Sequence, residues 1–218
     1  MTHEPGGTVT DIRCAYKRLS VLFRQGRCYL VRMSWIKEIG TGDADGKLAA
    51  TYADLIAKRG KVSNILKAHS LNPDALGRHL DLYMTLMFGD SGLSRAEREA
   101  IAVVVSASNE CLYCVNHHAE ALRRYVKDEE TLEMLINADG LETLHPRLSN
   151  IVRYAEKLTS APAAMTESDL DELRAVDLSD HDILDLTLIV AYFNFVNRIA
   201  LGLGVEYSKD EVGGYINP

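Results

Sequence analysis

Apolar and polar positions along this chain recur mostly at helical spacing. In LNPDALGRHLDLYMTLMFG, the residues Leu76, Leu80, Tyr83, Met84 and Met87 follow one another three, four or one apart, which gathers them on one helix face. Asn72 is placed to cap that helix, Pro73 suits its first turn, and Gly89 stops it. Ser94 and Glu97 in SRAE form a capping box that opens REAIAVVVSA, a run apolar enough to be a central, buried helix. Two further helices begin at Thr166 and Ser179, each followed by acids that suit a positive helix end. Gly202 and Gly204 close the last long one. The glycine, proline and β-branched punctuation of hairpins is missing, and no repeat of solenoid period occurs. The pattern therefore predicts an all-α, multi-helix bundle from residue 46 onward.

The first 32 residues do not share this order. They hold six Lys/Arg and two acids, against 24 and 31 in the whole chain, and show no sustained period. Cys14 and Cys28 lie there and read as exposed. Residues 1–32 are thus expected to be a disordered basic extension, or the product of a start codon assigned upstream of Met33. The composition shift favours the second, leaving 33–218 as the helical domain.

Length and charge narrow the function. With 218 residues the chain fits one domain with an appendage. A net charge of −7 and a pI near 5.5 argue against nucleic acid or an anionic membrane as partner. No uninterrupted run of 18 apolar residues is present, and LSVLF is too short for a signal-peptide core. A cytoplasmic location is expected, where a C-x-x-C pair suits redox or metal chemistry better than a structural staple.

That pair lies in ECLYCVNHH. Ser108 and Asn109 are both good N-caps, so a helix starting there would carry Cys111, Cys114 and His118 at roughly 0°, 300° and 340° around its axis. All three then share one face, while His117 points about 100° away and is not expected to take part. First-turn N–H groups stabilise a thiolate, and a neighbouring imidazole can take its proton. Glu99 is the other candidate. On one unbroken helix it would sit about 18 Å from Cys111. It reaches the dithiol only if the chain breaks near residues 106–109 and the helices pack side by side. A carboxylate there could orient His118.

Plainer readings stand beside this one. The two cysteines could be small apolar core residues. A zinc site would lack a fourth ligand, so no metal is expected. Tyr113 reads as packing, and His69, His79, His145 and His181 as scattered surface or core histidines. The aromatics of AYFNFVNR read as a core or subunit-interface stripe, with a pocket wall as the lesser alternative.

Read as E-x11-C-x2-C-x3-H, residues 99–118 resemble the alkylhydroperoxidase D-like branch of the carboxymuconolactone decarboxylase family, with AYFNFVNRIALGLGVE similar to its peroxidase-related members. The likeness runs from about Met33 to Glu206. It implies an all-helical, oligomeric fold and a cofactor-free hydroperoxide reductase serving antioxidant defence. Cys114 would then attack the peroxide, and Cys111 would resolve it and meet an external dithiol reductant, for instance a lipoyl-bearing protein. Glu99 and His118 match the proton-relay positions. Tyr113 stands where founding members have histidine, which removes one imidazole from the relay. Helix-dipole logic alone favours Cys111 as the more acidic thiol; the adjacent His118 and the family motif favour Cys114 as the attacking one. Two other functions stay open: a redox-sensing or thiol–disulfide exchange protein, and a decarboxylase-like enzyme.

Overall fold

The computed structural model describes residues 21–24, 27–30, 33–207 and 209–213. These fall into two units, residues 1–32 and residues 33–218. In the first, strand β1 (Val21–Arg24) pairs antiparallel with β2 (Arg27–Leu30), Val21 opposite Leu30 and Arg24 opposite Arg27. This ribbon departs from the expectation of no strands; Val21, Phe23 and Tyr29 are β-favouring residues within a run too short to show a period. Cys14 lies outside the described residues.

The second unit is helical. Its elements are α1 (Gly46–Arg59), α2 (Asn64–Ala68), α3 (Pro73–Phe88), α4 (Arg95–Ser108), α5 (Leu112–Leu122), α6 (Glu129–Asn137), α7 (Pro146–Ser160), α8 (Glu167–Arg174), α9 (Asp180–Gly202) and α10 (Lys209–Val212). Helix α4 is the axis of the bundle, packed against α5, α6, α7 and α9. Its stretch Ala100–Val105 is no more than 1% exposed. That explains a sequence run with no polar face: a helix contacted on all sides has no side to leave wet. Three consecutive valines are poor helix formers, so burial rather than propensity holds them.

The punctuation acts locally as its chemistry requires. Asn72 accepts from the Ala75 N–H, and Pro73 is the first residue of α3. Ser94 and Glu97 satisfy each other's backbone donors, as do Ser179 and Asp182. Thr166 caps α8 and Gly89 follows α3. Past α9, Gly204 has φ +58, and a Cβ there would lie 2.1 Å from the Trp35 ring. The segment that begins at Met33 needs that room. The Trp35 N–H donates to Leu203 O, and the Glu206 N–H to Met33 O.

One sequence expectation requires correction. Met84 is 39% exposed, whereas His79 and Leu86 of α3 are buried. At about 100° per residue, positions 76, 79, 83, 86 and 87 form one arc and 84 falls outside it. AYFNFVNR is divided: Tyr192 and Phe193 point inward, while Phe195 is exposed. By length and composition α9 could cross a membrane, although half of its apolar window is buried within the unit.

Candidate active site at the C-x-x-C turn

The site is made by how α4 ends. The Cys111 N–H donates to Ser106 O, and the Glu110 N–H to Ala107 O. These two bonds close a Schellman motif with Glu110 in the left-handed region at φ 55. The chain reverses, and α5 starts with Cys111 as its N-cap. Ser108 and Asn109 therefore do not cap α5 as their sequence suggested. They finish α4: Ser108 Oγ donates to Val104 O at 2.9 Å and Asn109 Nδ2 to Val105 O at 3.0 Å. Backbone hydrogen bonding runs on through Ser108, so these side chains satisfy carbonyls behind them instead of amides ahead. Cys111 thus stands at the helix threshold and Cys114 in its first turn, one step later than expected.

The break near 106–109 that Glu99 needed is present. Helix α5 packs beside α4, and His118 Nδ1 donates to Glu99 Oε2 at 2.7 Å. Glu99 is fully buried, and Arg95 donates to its other oxygen. Burial alone would push the Glu99 carboxyl up, but the His118 ring and then the Arg95 guanidinium outweigh it and hold it below the ordinary carboxylate value. Arg95 is fixed in turn by Met87 O and by stacking over Phe88, 3.8 Å from guanidinium carbon to ring centre. With Nδ1 protonated toward the carboxylate, Nε2 of His118 carries the lone pair. Phe193 meets the imidazole edge-on at 4.6 Å.

Both thiols are free and buried, and they are bonded to each other. The hydrogen bond from Cys114, the largest influence, lowers Cys111 despite burial. The N–H groups of Tyr113 and Cys114, aimed at its sulfur without closing a capping bond, act the same way. Cys114 is pushed well up, first by that same bond and then by burial, with Asn197 partly opposing. The two shifts run in opposite directions, so Cys111 is the more acidic thiol of the pair, in line with the helix-end argument.

Cys114, Glu99 and His118 line one cavity, whose wall includes Tyr83, Tyr192 and Phe193. Cys111 lines a separate cleft beside Trp35, Leu112 and Tyr207. All four sequence candidates are therefore brought together, with the two sulfurs facing different openings.

Sequence reasoning missed a second carboxylate–imidazole pair. His117 Nε2 lies 2.5 Å from Glu211 Oε2 of α10. Glu211 Oε1 accepts from Tyr113 OH at 2.9 Å and from the Asn64 N–H at 3.0 Å. Tyr113 OH also accepts from the Ile65 N–H at 3.1 Å. Burial raises the Glu211 carboxyl, but these partners, His117 foremost, pull it below its ordinary value. His117 lines the Cys114 cavity even though it lies away from His118 on the helix. Tyr113 is thus more than packing: it ties the C-x-x-C turn to α2 and α10. His79, read as a surface or core histidine, also lines the cavity, and so does Tyr192, for which a pocket wall was the lesser alternative. No periodicity signals Glu211, which follows the last long helix.

Comparison with known proteins bears on the family and the fold. The carboxymuconolactone decarboxylase family model matches residues 73–157. An uncharacterized peroxidase-related protein from Silicibacter sp. TM1040 is 32% identical, with TM-score 0.72 over 83% of this chain and 94% of that one. A second, from Ralstonia eutropha JMP134, is described as an alkylhydroperoxidase AhpD core. It is 27% identical with TM-score 0.75, over 83% of this chain and 95% of that one. Among curated relatives, the uncharacterized protein YdfG of Bacillus subtilis is 25% identical over 52% of this chain and 78% of its own length. Sestrin-1 of Mus musculus is 22% identical over 80% of this chain, which spans only 35% of that protein. By fold, motif and these matches, the chain belongs to the carboxymuconolactone decarboxylase family, in its alkylhydroperoxidase D-like branch.

Proposed function

We propose that the protein reduces hydroperoxides with its Cys111–Cys114 pair and is recycled by an external dithiol. The observation that carries this reading is the pair of buried free thiols, of which Cys114 lines the same cavity as the carboxylate-held imidazole of His118. Such a pair has no use in simple proton transfer, which weighs against decarboxylase chemistry.

The proposed steps give each residue one role. His118 Nε2 takes the Cys114 proton, and Glu99 stabilises the imidazolium. The Cys114 thiolate attacks the terminal peroxide oxygen and the O–O bond breaks. Cys114 becomes a sulfenic acid, and the departing alkoxide takes the proton back from His118 to leave as an alcohol. The Cys111 thiolate then attacks the Cys114 sulfur. A disulfide forms, and the expelled hydroxide takes a proton from solvent. A dithiol, for example a dihydrolipoyl group on a partner protein, attacks at Cys111 through its own cleft and restores both thiols as it becomes a disulfide.

The test is anaerobic thiol counting before and after one equivalent of an organic hydroperoxide, with mass spectrometry of the peptide spanning both residues. Two thiols should be consumed per peroxide, with loss of two protons confined to that peptide. Cys111→Ser should stop at a Cys114 sulfenic acid, and Cys114→Ser should not react. One-way oxidation that no dithiol reverses would replace the enzyme with a redox sensor.

A further inference from the structure

The Cys114 cavity has an apolar body and an unanswered positive charge. Tyr83, Phe88, Tyr192, Phe193 and Leu80 supply the apolar wall. Arg59, the last residue of α1, is on the same wall. Its contacts are the Tyr83 ring, 4.8 Å from the guanidinium carbon, and Met84 Sδ at 3.0 Å, a weak acceptor. Other buried or half-buried arginines are answered. Arg95 faces Glu99, Arg147 faces Glu97, and Arg98 donates to the carbonyls of Leu86, Gly89 and Leu93. Glu99 is already satisfied by Arg95 and His118 and has nothing left for Arg59. Glu120, the other acid on the wall, lies 3.8 Å from Arg123, so among the described residues Arg59 has no paired carboxylate.

Two more polar atoms of residues on this wall lack partners, and the arginine one is a donor. Arg95 Nε is buried without an acceptor. His79 is 8% exposed, and its Nε2 lies 3.0 Å from Tyr192 OH. Burial, then the charges of His69 and Arg59, drive its pKa down to about 4, so the ring is neutral. Nδ1 of that ring is buried and unpartnered. An unmet arginine donor and a guanidinium without a paired carboxylate, set among aromatic rings, together ask for an oxygen-rich anion attached to something apolar.

We infer that this cavity takes an amphipathic carboxylate, its apolar body among the aromatic rings and its carboxylate held by Arg59. Resting on the peroxidase reading, the substrate class is then a hydroperoxide that carries a carboxylic acid, of the hydroperoxy fatty acid type. Arg59 sets this specificity. Arg124, exposed at the rim, adds to the positive field that draws the anion in.

The test separates binding from turnover. Decanoate, decanol and decyltrimethylammonium share one chain and differ in charge, and none is oxidised. Calorimetric titration should show decanoate binding at least on the order of tenfold tighter than decanol, the cation undetectable, and the difference shrinking with salt. Arg59→Gln should bring decanoate to the level of decanol, and Arg59→Lys should recover part of the gap. If Arg59→Gln does not fold, protection of Arg59 in the native protein from phenylglyoxal by decanoate, but not decanol, reads the same contact. In turnover, the ratio of kcat/KM for a hydroperoxy fatty acid to that for its methyl ester should exceed about ten and collapse in Arg59→Gln. Equal binding of decanol and decanoate, or decanoate affinity untouched by Arg59→Gln, would overturn the anion site. Decanoate binding without peroxide-driven dithiol oxidation would sink the peroxidase reading instead. Dithiol oxidation with no preference for the acid would sink this one.

Discussion

Replacing Glu99 by glutamine tests the centre of the site most directly. The side chain keeps its shape but loses the charge that faces His118 at 2.7 Å and the Arg95 guanidinium. Breaking one partner out of a buried ionic group costs about 3–5 kcal/mol. The amide can still accept one hydrogen bond, so about 2–3 kcal/mol is expected. For a domain of this size, 1 kcal/mol moves Tm by about 2–4 °C, which places the melt roughly 4–12 °C lower. The sign with pH follows from the Glu99 carboxyl, which burial pushes up but His118 and Arg95 hold below its ordinary value. A depressed carboxyl contributes stability that is present above its unfolded pKa of about 4.3 and is lost as pH falls through the folded one. The gap between native protein and Glu99→Gln should therefore be full at pH 7 and close on acidification below about pH 4. His118→Ala should remove the same coupling, so the double variant should fall short of the sum by about 1–3 kcal/mol. Urea melts across pH, with Cys114 alkylation rates alongside, measure both effects. Additivity within about 0.5 kcal/mol, or a gap unchanged at pH 3, would refute the shared dyad.

Other expectations rest on neighbouring residues. Glu211→Gln weakens the tie among His117, Tyr113 and Asn64 and should lower stability by about 1–3 kcal/mol in urea melts, with no loss meaning that α10 holds nothing. His79, neutral down to about pH 4 in the fold, withdraws stability as pH falls from about 6.5 to 4, on the order of 3 kcal/mol. His79→Phe should flatten the pH–stability curve over that window. Glu110→Gly relieves a left-handed residue at φ 55 in the Schellman turn and should raise Tm by about 2–4 °C, whereas Glu110→Val should lower it.

Local chemistry was legible in the residues themselves. Asn72, Ser94, Thr166 and Ser179 each cap the helix their spacing announced, because a cap needs only its own next turn. The apolar run around Val103 announced a central helix for the same reason: burial on all sides is written into every position. The C-x-x-C, His118 and Glu99 could be named from sequence. Their approach could not, since it depends on a reversal at Glu110 that ordinary residues such as Ser108 and Asn109 did not advertise. Tertiary structure decided the rest. Glu211 reaches His117 across 94 positions and Tyr192 reaches His79 across 113, and no helical period links residues so far apart. Packing also decided which thiol is the more acidic, because the difference between Cys111 and Cys114 comes from the hydrogen bond between them, first-turn amides and burial. Sequence sets what each side chain can do within a turn or two of helix. Only the folded bundle sets which of them meet, and how far from water they do so.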